Sequence, residues 1–346
     1  MDAPDLRLSN NVSEERATSD PLLNTCLEEK FQIVELLHDG LTARVYKAKH
    51  LTLDQFVVVK ILVQTLLPSA KAVRRFKNEA ELLSKLKQAN IVDFYAYGVS
   101  QSGQPFLVTE YLAGKTLEQI LKEQKTLEME RAIPILLELC RALTYIHSQG
   151  IVHRDLKPAN IMISNCDGLD TIKLLDFGIF KGLERDNLKL TDTDVILGTA
   201  SYMSPEQCKG DLLDSRADIY SFGCLMYECL VGQPPLVGDN SIATMQNHLF
   251  VNLTSVGVKA AISADLERII LKCLEKSPEK RFQNAEELAL ALSKAKTKRQ
   301  GLLPNSSMFR KAILVSWFIA ILIATAYYVR IVLKTPTFLD GAFKLF

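Results

Sequence analysis

The spacing of apolar residues shifts along this chain from mainly strand-like to mainly helical near Leu117, and that shift constrains the fold more than any other feature. From Phe31 to about Val63 the runs FQIVELL, ARVYKA and QFVVVKIL alternate apolar with polar residues or cluster β-branched ones. That pattern predicts three antiparallel strands joined by turns. A helix follows, because in VRRFKNEAELLSKL the residues Val73, Phe76, Ala80, Leu83 and Leu86 share one face. IVDFYAYGV and PFLVTEYL read as two more strands. From about Leu117 to Ala295 the period is helical, interrupted by polar loops at 164–171 and 182–197. The expected architecture is α+β and bilobal. A disordered leader over 1–28 precedes a small β-rich lobe over about 29–111 and a larger helical lobe over about 112–294.

Composition narrows the function classes. Forty-one basic residues against forty acidic ones give a net charge of +1, which argues against a nucleic-acid binder. The seven cysteines include no CxxC pair, so neither a zinc ribbon nor a redox motif is expected, and a reducing compartment fits. Cys224 and Cys229 lie in an apolar helical stretch and are expected as buried small hydrophobes. The N-terminus has no basic n-region followed by an apolar h-region, so it is not a signal peptide.

The chemistry is concentrated in His153-Arg154-Asp155-Leu156-Lys157-Pro158-Ala159-Asn160, followed by Asp176-Phe177-Gly178. Phosphoryl transfer needs a positioned hydroxyl, metal ions and neutralised phosphate oxygens rather than covalent help. One loop carrying a carboxylate, an amine and an amide can supply a base, a phosphate contact and a metal ligand. A second carboxylate on a nearby turn completes a metal site. These residues resemble the eukaryotic-type protein kinase family, its bacterial Ser/Thr members in particular, over roughly Phe31 to Leu292.

The resemblance implies a role for each matching residue. Asp155 would orient the substrate hydroxyl and take its proton, and Lys157 would steady the γ-phosphate and favour Ser/Thr acceptors. Asn160 and Asp176 would hold magnesium, or manganese in its place. Lys60, ending VVVK, would contact the α- and β-phosphates of ATP and pair with Glu79 of FKNEAELL. Backbone groups of Glu110 and Leu112 would receive the adenine in a hinge formed by residues 109–112. The phosphate-covering loop departs from the family's GxGxxGxV pattern: His38-Asp39-Gly40-Leu41-Thr42-Ala43-Arg44-Val45 keeps only the middle glycine. Ala43 is a mild change, whereas His38 should reshape the first bend. Thr199, in GTASYMSPEQ, would bond Asp155 and Lys157. Ser204 stands where alanine is more usual, Glu206 would pair with Arg281, and Asp218 would brace the backbone of the catalytic loop. Arg154 suggests control by phosphorylation, with Thr191 and Thr193 as candidate acceptors.

Residues 312–329 carry no charge over eighteen positions, and as a helix they would span about 27 Å. The expectation is a basic juxtamembrane linker over 295–311, a single transmembrane helix over 312–333 and a short extracytoplasmic tail over 334–346. Lys294, Lys296, Lys298, Arg299, Arg310 and Lys311 make the preceding flank the basic one, which places the catalytic domain on the cytoplasmic side of the plasma membrane. Protein substrates and a homodimer phosphorylating in trans are the partners this implies. Two other classes compete: a pseudokinase scaffold, suggested by His38 and Ala43, and a small-molecule kinase, opposed by the peptide-platform segment GTASYMSPEQ.

Overall fold

The computed structural model of the protein describes residues 20–166, 168–177, 200–256 and 262–297. The small lobe is a six-stranded antiparallel sheet in the order β1-β2-β3-β4-β6-β5. Its strands are β1 (Cys26–Leu27), β2 (Phe31–Asp39), β3 (Ala43–His50), β4 (Gln55–Leu62), β5 (Phe94–Val99) and β6 (Pro105–Glu110). Strand alternation sorts the side chains. In β4, Val57, Val59 and Ile61 are buried with Ile33, Tyr46, Phe106 and Val108, which sends Val58 and Lys60 to the opposite face.

The helix Ala70–Leu83 covers the sheet. Ser69 caps it, accepting the Ala72 N–H at 3.2 Å. Its buried face is Ala72, Phe76, Glu79, Ala80 and Leu83. Glu79 is the one charged residue among them, so this helix cannot pack without a cation to meet it.

The large lobe is built around the helices Met129–Ser148, Arg216–Val231, Ala264–Cys273 and Ala285–Thr297. Leu136, Leu139, Leu143, Ile219, Phe222, Leu225, Ile270 and Leu288 fill its core. The Arg216–Val231 helix is buried on nearly every side, which is why its sequence is apolar all round rather than striped. It approaches Ala264–Cys273 closely at Gly223, where a Cβ would lie 2.6 Å from that of Cys273. Cys140, Cys224, Cys229 and Cys273 are free and buried.

Three expectations need revision or relocation. Residues 164–171 do not form a polar loop: β8 (Ile161–Cys166) and β9 (Leu169–Leu174) make a hairpin, with β7 (Lys115–Thr116) on its edge. Gly168, at φ 82°, supplies the left-handed turn residue. Within the leader expected over 1–28, the described residues are structured, starting with Asp20. Its carboxylate accepts the Tyr46 hydroxyl at 2.9 Å, and Cys26–Leu27 joins the sheet. Among the described residues no helix is long and apolar enough to cross a membrane, and residues 312–333 lie outside them.

Candidate active site

The Glu79 carboxylate meets its cation across the lobe. Lys60 Nζ lies 2.9 Å from Glu79 Oε1 and 3.0 Å from Asp176 Oδ1. Glu79 is wholly buried, whereas the Asp176 side chain is 50% exposed. Burial alone would pull the Lys60 ammonium's pKa down, but the Asp176 and Glu79 carboxylates offset it and hold it above the usual lysine value. Burial pushes the Glu79 carboxyl up to about 7, against the pull of Lys60. Glu79 Oε2 is buried with no hydrogen-bond partner. One cation therefore serves two carboxylates, one dry and one wet.

The loop beneath is pinned from behind. Asp218, 1% exposed at the start of the Arg216–Val231 helix, accepts the N–H groups of His153 at 2.8 Å and Arg154 at 2.9 Å. His147 Nε2 lies 2.9 Å from the same carboxylate. Arg154 sits at φ +68°, a conformation costing a non-glycine residue about 1–2 kcal/mol. It persists because its peptide is held on both sides. Gln207 Nε2 donates to the Arg154 carbonyl at 2.8 Å. Sequence reasoning missed Gln207, although the SPEQ spacing is a capping-box signal. Ser204 Oγ accepts the Gln207 N–H, and Gln207 Oε1 accepts the Ser204 N–H. The serine that replaces the usual alanine is thus the cap that orients this glutamine.

The strained residue delivers Asp155 to the open side. Lys157 Nζ is 3.3 Å from Asp155 Oδ2. Asn160 Nδ2 donates to the Asp155 carbonyl at 2.8 Å and to Oδ2 at 3.2 Å. With its amide N–H₂ engaged there, the carbonyl oxygen is what Asn160 has to offer a cation. The Asn160 carbonyl oxygen and the half-exposed Asp176 carboxylate are the oxygen donors available to a magnesium ion, which accepts such ligands while keeping some of its water. Phe177 is buried, and its ring lies 4.9 Å from that of His153. The structure thus brings together Lys60, Glu79 and Asp176 on one side and Asp155, Lys157 and Asn160 on the other, and the Leu175 N–H joins the two groups by donating to the Asn160 carbonyl at 2.8 Å. Thr199, Thr191 and Thr193 lie outside the described residues.

Comparison with known proteins agrees with this geometry. The family model for the protein kinase domain matches residues 31–291. The chain belongs to the protein kinase family. It is 36% identical over 266 residues to the serine/threonine-protein kinase PknB of Mycobacterium tuberculosis, which covers 76% of this chain and 42% of PknB. It is 37% identical over 276 residues to a probable serine/threonine-protein kinase of Clostridium acetobutylicum, covering 80% of this chain and 41% of that protein. The chain spans about two fifths of the length of these curated relatives. Among solved structures it is similar to the kinase domain of M. tuberculosis PknI, with TM-score 0.61 and 22% identity over 79% of this chain and 98% of that one.

Two further parts of this kinase fold differ in how well they are held. At the hinge, the Glu110 N–H already donates to the Asp93 carbonyl at 3.0 Å, so Glu110 can meet an adenine only through its carbonyl. Leu112 follows two residues beyond β6 and is half-buried. The Glu110 carboxylate accepts the Asp93 N–H at 2.7 Å and pairs with Lys173 on β9, which also reaches Asp93 at 3.3 Å. This clamp ties small-lobe strand, hinge and large-lobe hairpin together, and no local sequence pattern announced it. In the phosphate-covering loop, Gly40 N–H donates to the Ala43 carbonyl at 3.2 Å, and a Cβ at Gly40 would sit 2.7 Å from that oxygen. The surviving glycine is therefore the one the turn requires. His38, opposite Val45 in the β2–β3 register, is exposed and lies against Gly40. Ala43 is buried in the sheet, with its side chain turned away from the loop's open side.

Proposed function

We propose that this protein is a membrane-anchored Ser/Thr protein kinase that transfers the γ-phosphate of ATP to protein hydroxyls. The observation that carries this reading is the Lys60 ammonium shared between Glu79 and Asp176, with the chain before Asp176 tied to the Asp155–Lys157–Asn160 loop by the Leu175 N–H donating to the Asn160 carbonyl at 2.8 Å. In the step we envisage, a Ser or Thr hydroxyl gives its proton to Asp155 as its oxygen bonds to the γ-phosphorus. The bond from that phosphorus to the β–γ bridging oxygen breaks, and ADP leaves. Lys157 meets the negative charge on the transferred group, and Lys60 the α- and β-phosphates. Magnesium, held by Asn160 and Asp176, would neutralise phosphate charge when bound.

Anchoring rests on residues 312–333, whose uncharged core of eighteen residues suits a single span. The basic flank from Lys294 to Lys311 keeps the kinase domain cytoplasmic. Thr191 and Thr193 are the proposed sites of activating autophosphorylation, paired afterwards with Arg154. The test uses the full chain in lipid vesicles with labelled ATP and magnesium. Label is expected on Ser or Thr of the chain or of a basic peptide, and Asp155→Ala should abolish it. Equal labelling by the two proteins, or none by either, would overturn the reading.

A further inference from the structure

Residues 20–30 precede the protein kinase domain in the chain, yet they are built into its small lobe. Asp20 opens a turn by accepting the Leu22 N–H at 3.0 Å. The Asn24 N–H then donates to the Ile33 carbonyl at 3.0 Å, and the Ile33 N–H donates to the Thr25 carbonyl at 2.9 Å. Cys26 and Leu27 pair with Gln32 and Phe31. Leu27 is buried in the sheet core, and Leu22 and Leu23 pack against that core. Backbone bonds and apolar contacts thus hold this strap without any charge.

A buried carboxylate is more than the strap needs. The Asp20 side chain is only 4% exposed, where an unmatched charge would be costly. Three donors match it. Besides the Leu22 N–H, the Tyr46 hydroxyl donates to Oδ2 at 2.9 Å, and Arg44 Nη1 lies 3.7 Å from the same oxygen. Arg44 carries the connection onward to the nucleotide site. Its Nε donates to Asp39 Oδ1 at 2.9 Å, and Asp39 and Arg44 are the last pair of the β2–β3 ladder. Residues 40–42 of the phosphate-covering loop lie between them. Val45, next to Arg44, pairs with Lys60 on β4. One guanidinium therefore bridges a fixed carboxylate in the strap and an exposed one at the root of the loop.

We propose that Asp20 is a positioning residue for phosphoryl transfer: acting through Arg44, it fixes the root of the phosphate-covering loop relative to Lys60 and so sets the affinity for ATP. Asp20 itself touches no substrate. The loop keeps a single glycine, Gly40, whose turn closes on the Ala43 carbonyl. Its root is formed by Asp39 and Arg44, so whatever orients that pair orients the loop. Geometry at such a distance matters because a displacement of about 1 Å at a binding group is felt as lost affinity or rate. The inference deepens the ATP-dependent reading above and rests on it. The competing role for Asp20 is that of a staple for residues 20–27, in which case loss of its charge would cost stability and nothing else.

The test is the Kd for magnesium ATP, by calorimetric titration of the full chain, read beside steady-state kcat and KM. Asp20→Asn keeps an oxygen for Leu22 and Tyr46 but removes the charge that Arg44 meets. It should raise Kd and KM for ATP about fivefold, the upper end for a partly exposed ion pair. Both kcat and KM for the peptide should stay within about twofold. Arg44→Gln breaks the bridge from its more exposed end and should do the same, and the double variant should be no worse than either single one. Arg44→Lys should recover little, because one ammonium cannot span both carboxylates. Tyr46→Phe removes a strap contact while keeping the Asp20–Arg44 pair, so it should lower the melting temperature and leave the Kd for ATP unchanged. The proposal is overturned if Asp20→Asn, folded by circular dichroism, binds ATP as tightly as the unsubstituted chain. It is overturned equally if the effects of Asp20→Asn and Arg44→Gln add, or if Tyr46→Phe raises the Kd as much as Asp20→Asn does. Should Asp20→Asn not fold, Arg44→Gln decides alone: an unchanged Kd for ATP is fatal. An unsubstituted chain that neither binds ATP nor transfers phosphate would overturn the reading of function, and this inference with it.

Discussion

Two buried carboxylate–cation pairs sit in this protein kinase domain, and they are built to opposite ends. Arg281 has no exposed side-chain surface, and its planar fork is fully used. Two of its nitrogens meet Glu206 at 2.7 and 2.9 Å, and the carbonyls of Glu275, Arg216 and Lys276 take the remaining directions. The guanidinium also lies 4.9 Å over the Tyr220 ring. Burial works against the Glu206 carboxylate, but bonding to Arg281 overrides it and leaves the pKa below the usual carboxylate value. Lys60–Glu79 is single-pronged, shares its cation with Asp176 and leaves Glu79 Oε2 orphaned, and burial raises the Glu79 pKa against the pull of Lys60. A satisfied bidentate pair fixes structure. A half-satisfied pair is poised between states, as a site that must take up and release charged phosphates requires.

The comparison breaks most easily at its rigid end. Arg281→Met strands Glu206 in a buried site and should cost about 3–5 kcal/mol of stability in urea unfolding. A loss below about 1 kcal/mol would show that the pair is not structural. Glu79→Gln should do the reverse: near-normal stability, with kcat/KM for ATP down about a hundredfold because Lys60 loses its positioning partner.

Acidity sharpens the contrast. Glu79 must be ionised to hold Lys60, so kcat/KM should rise with pH through about 7 and level off above it. Its folded-state pKa lies above the unfolded value. The stability it contributes is therefore present below about 4.5 and lost as pH rises through about 7. Glu206, with its pKa lowered, contributes stability above the ordinary carboxylate pKa and loses it as pH falls. Activity and the Glu79 contribution to stability should thus run in opposite directions near neutrality, and Glu79→Gln should flatten both profiles. Smaller still is the hinge clamp. Lys173→Met should raise KM for ATP about threefold to tenfold, corresponding to ~1 kcal/mol, with kcat unchanged and partial rescue by Lys173→Arg.

Legibility in the sequence followed locality. Asp155, Lys157, Asn160 and Asp176 stand in two short contiguous motifs, and the structure brings them together. The pairs Lys60–Glu79 and Glu206–Arg281 and the Asp218 brace were legible only because the family resemblance links distant segments. Periodicity placed the β-rich and helical lobes. It failed at 164–171, where Ser164, Asn165, Asp170 and Thr171 read as loop although they sit on a two-stranded hairpin with much of its surface in water. A hairpin edge needs no apolar alternation when only Ile161, Ile163, Ile172 and Leu174 face the core. The Asp93–Glu110–Lys173 clamp and the Asp20–Tyr46 bond join residues 17 to 80 positions apart with no periodic signal. Only folded coordinates reveal contacts of that kind.

The division of labour between the two pairs is tested most directly by measuring unfolding free energy and kcat/KM for ATP on the same preparations of Glu79→Gln and Arg281→Met. The account predicts a crossing. Glu79→Gln should stay folded to within about 1 kcal/mol and lose about a hundredfold in turnover efficiency. Arg281→Met should lose about 3–5 kcal/mol of stability while its folded fraction keeps kcat/KM to within about tenfold. Glu79→Gln unfolding as readily as Arg281→Met, or retaining full activity, would contradict it.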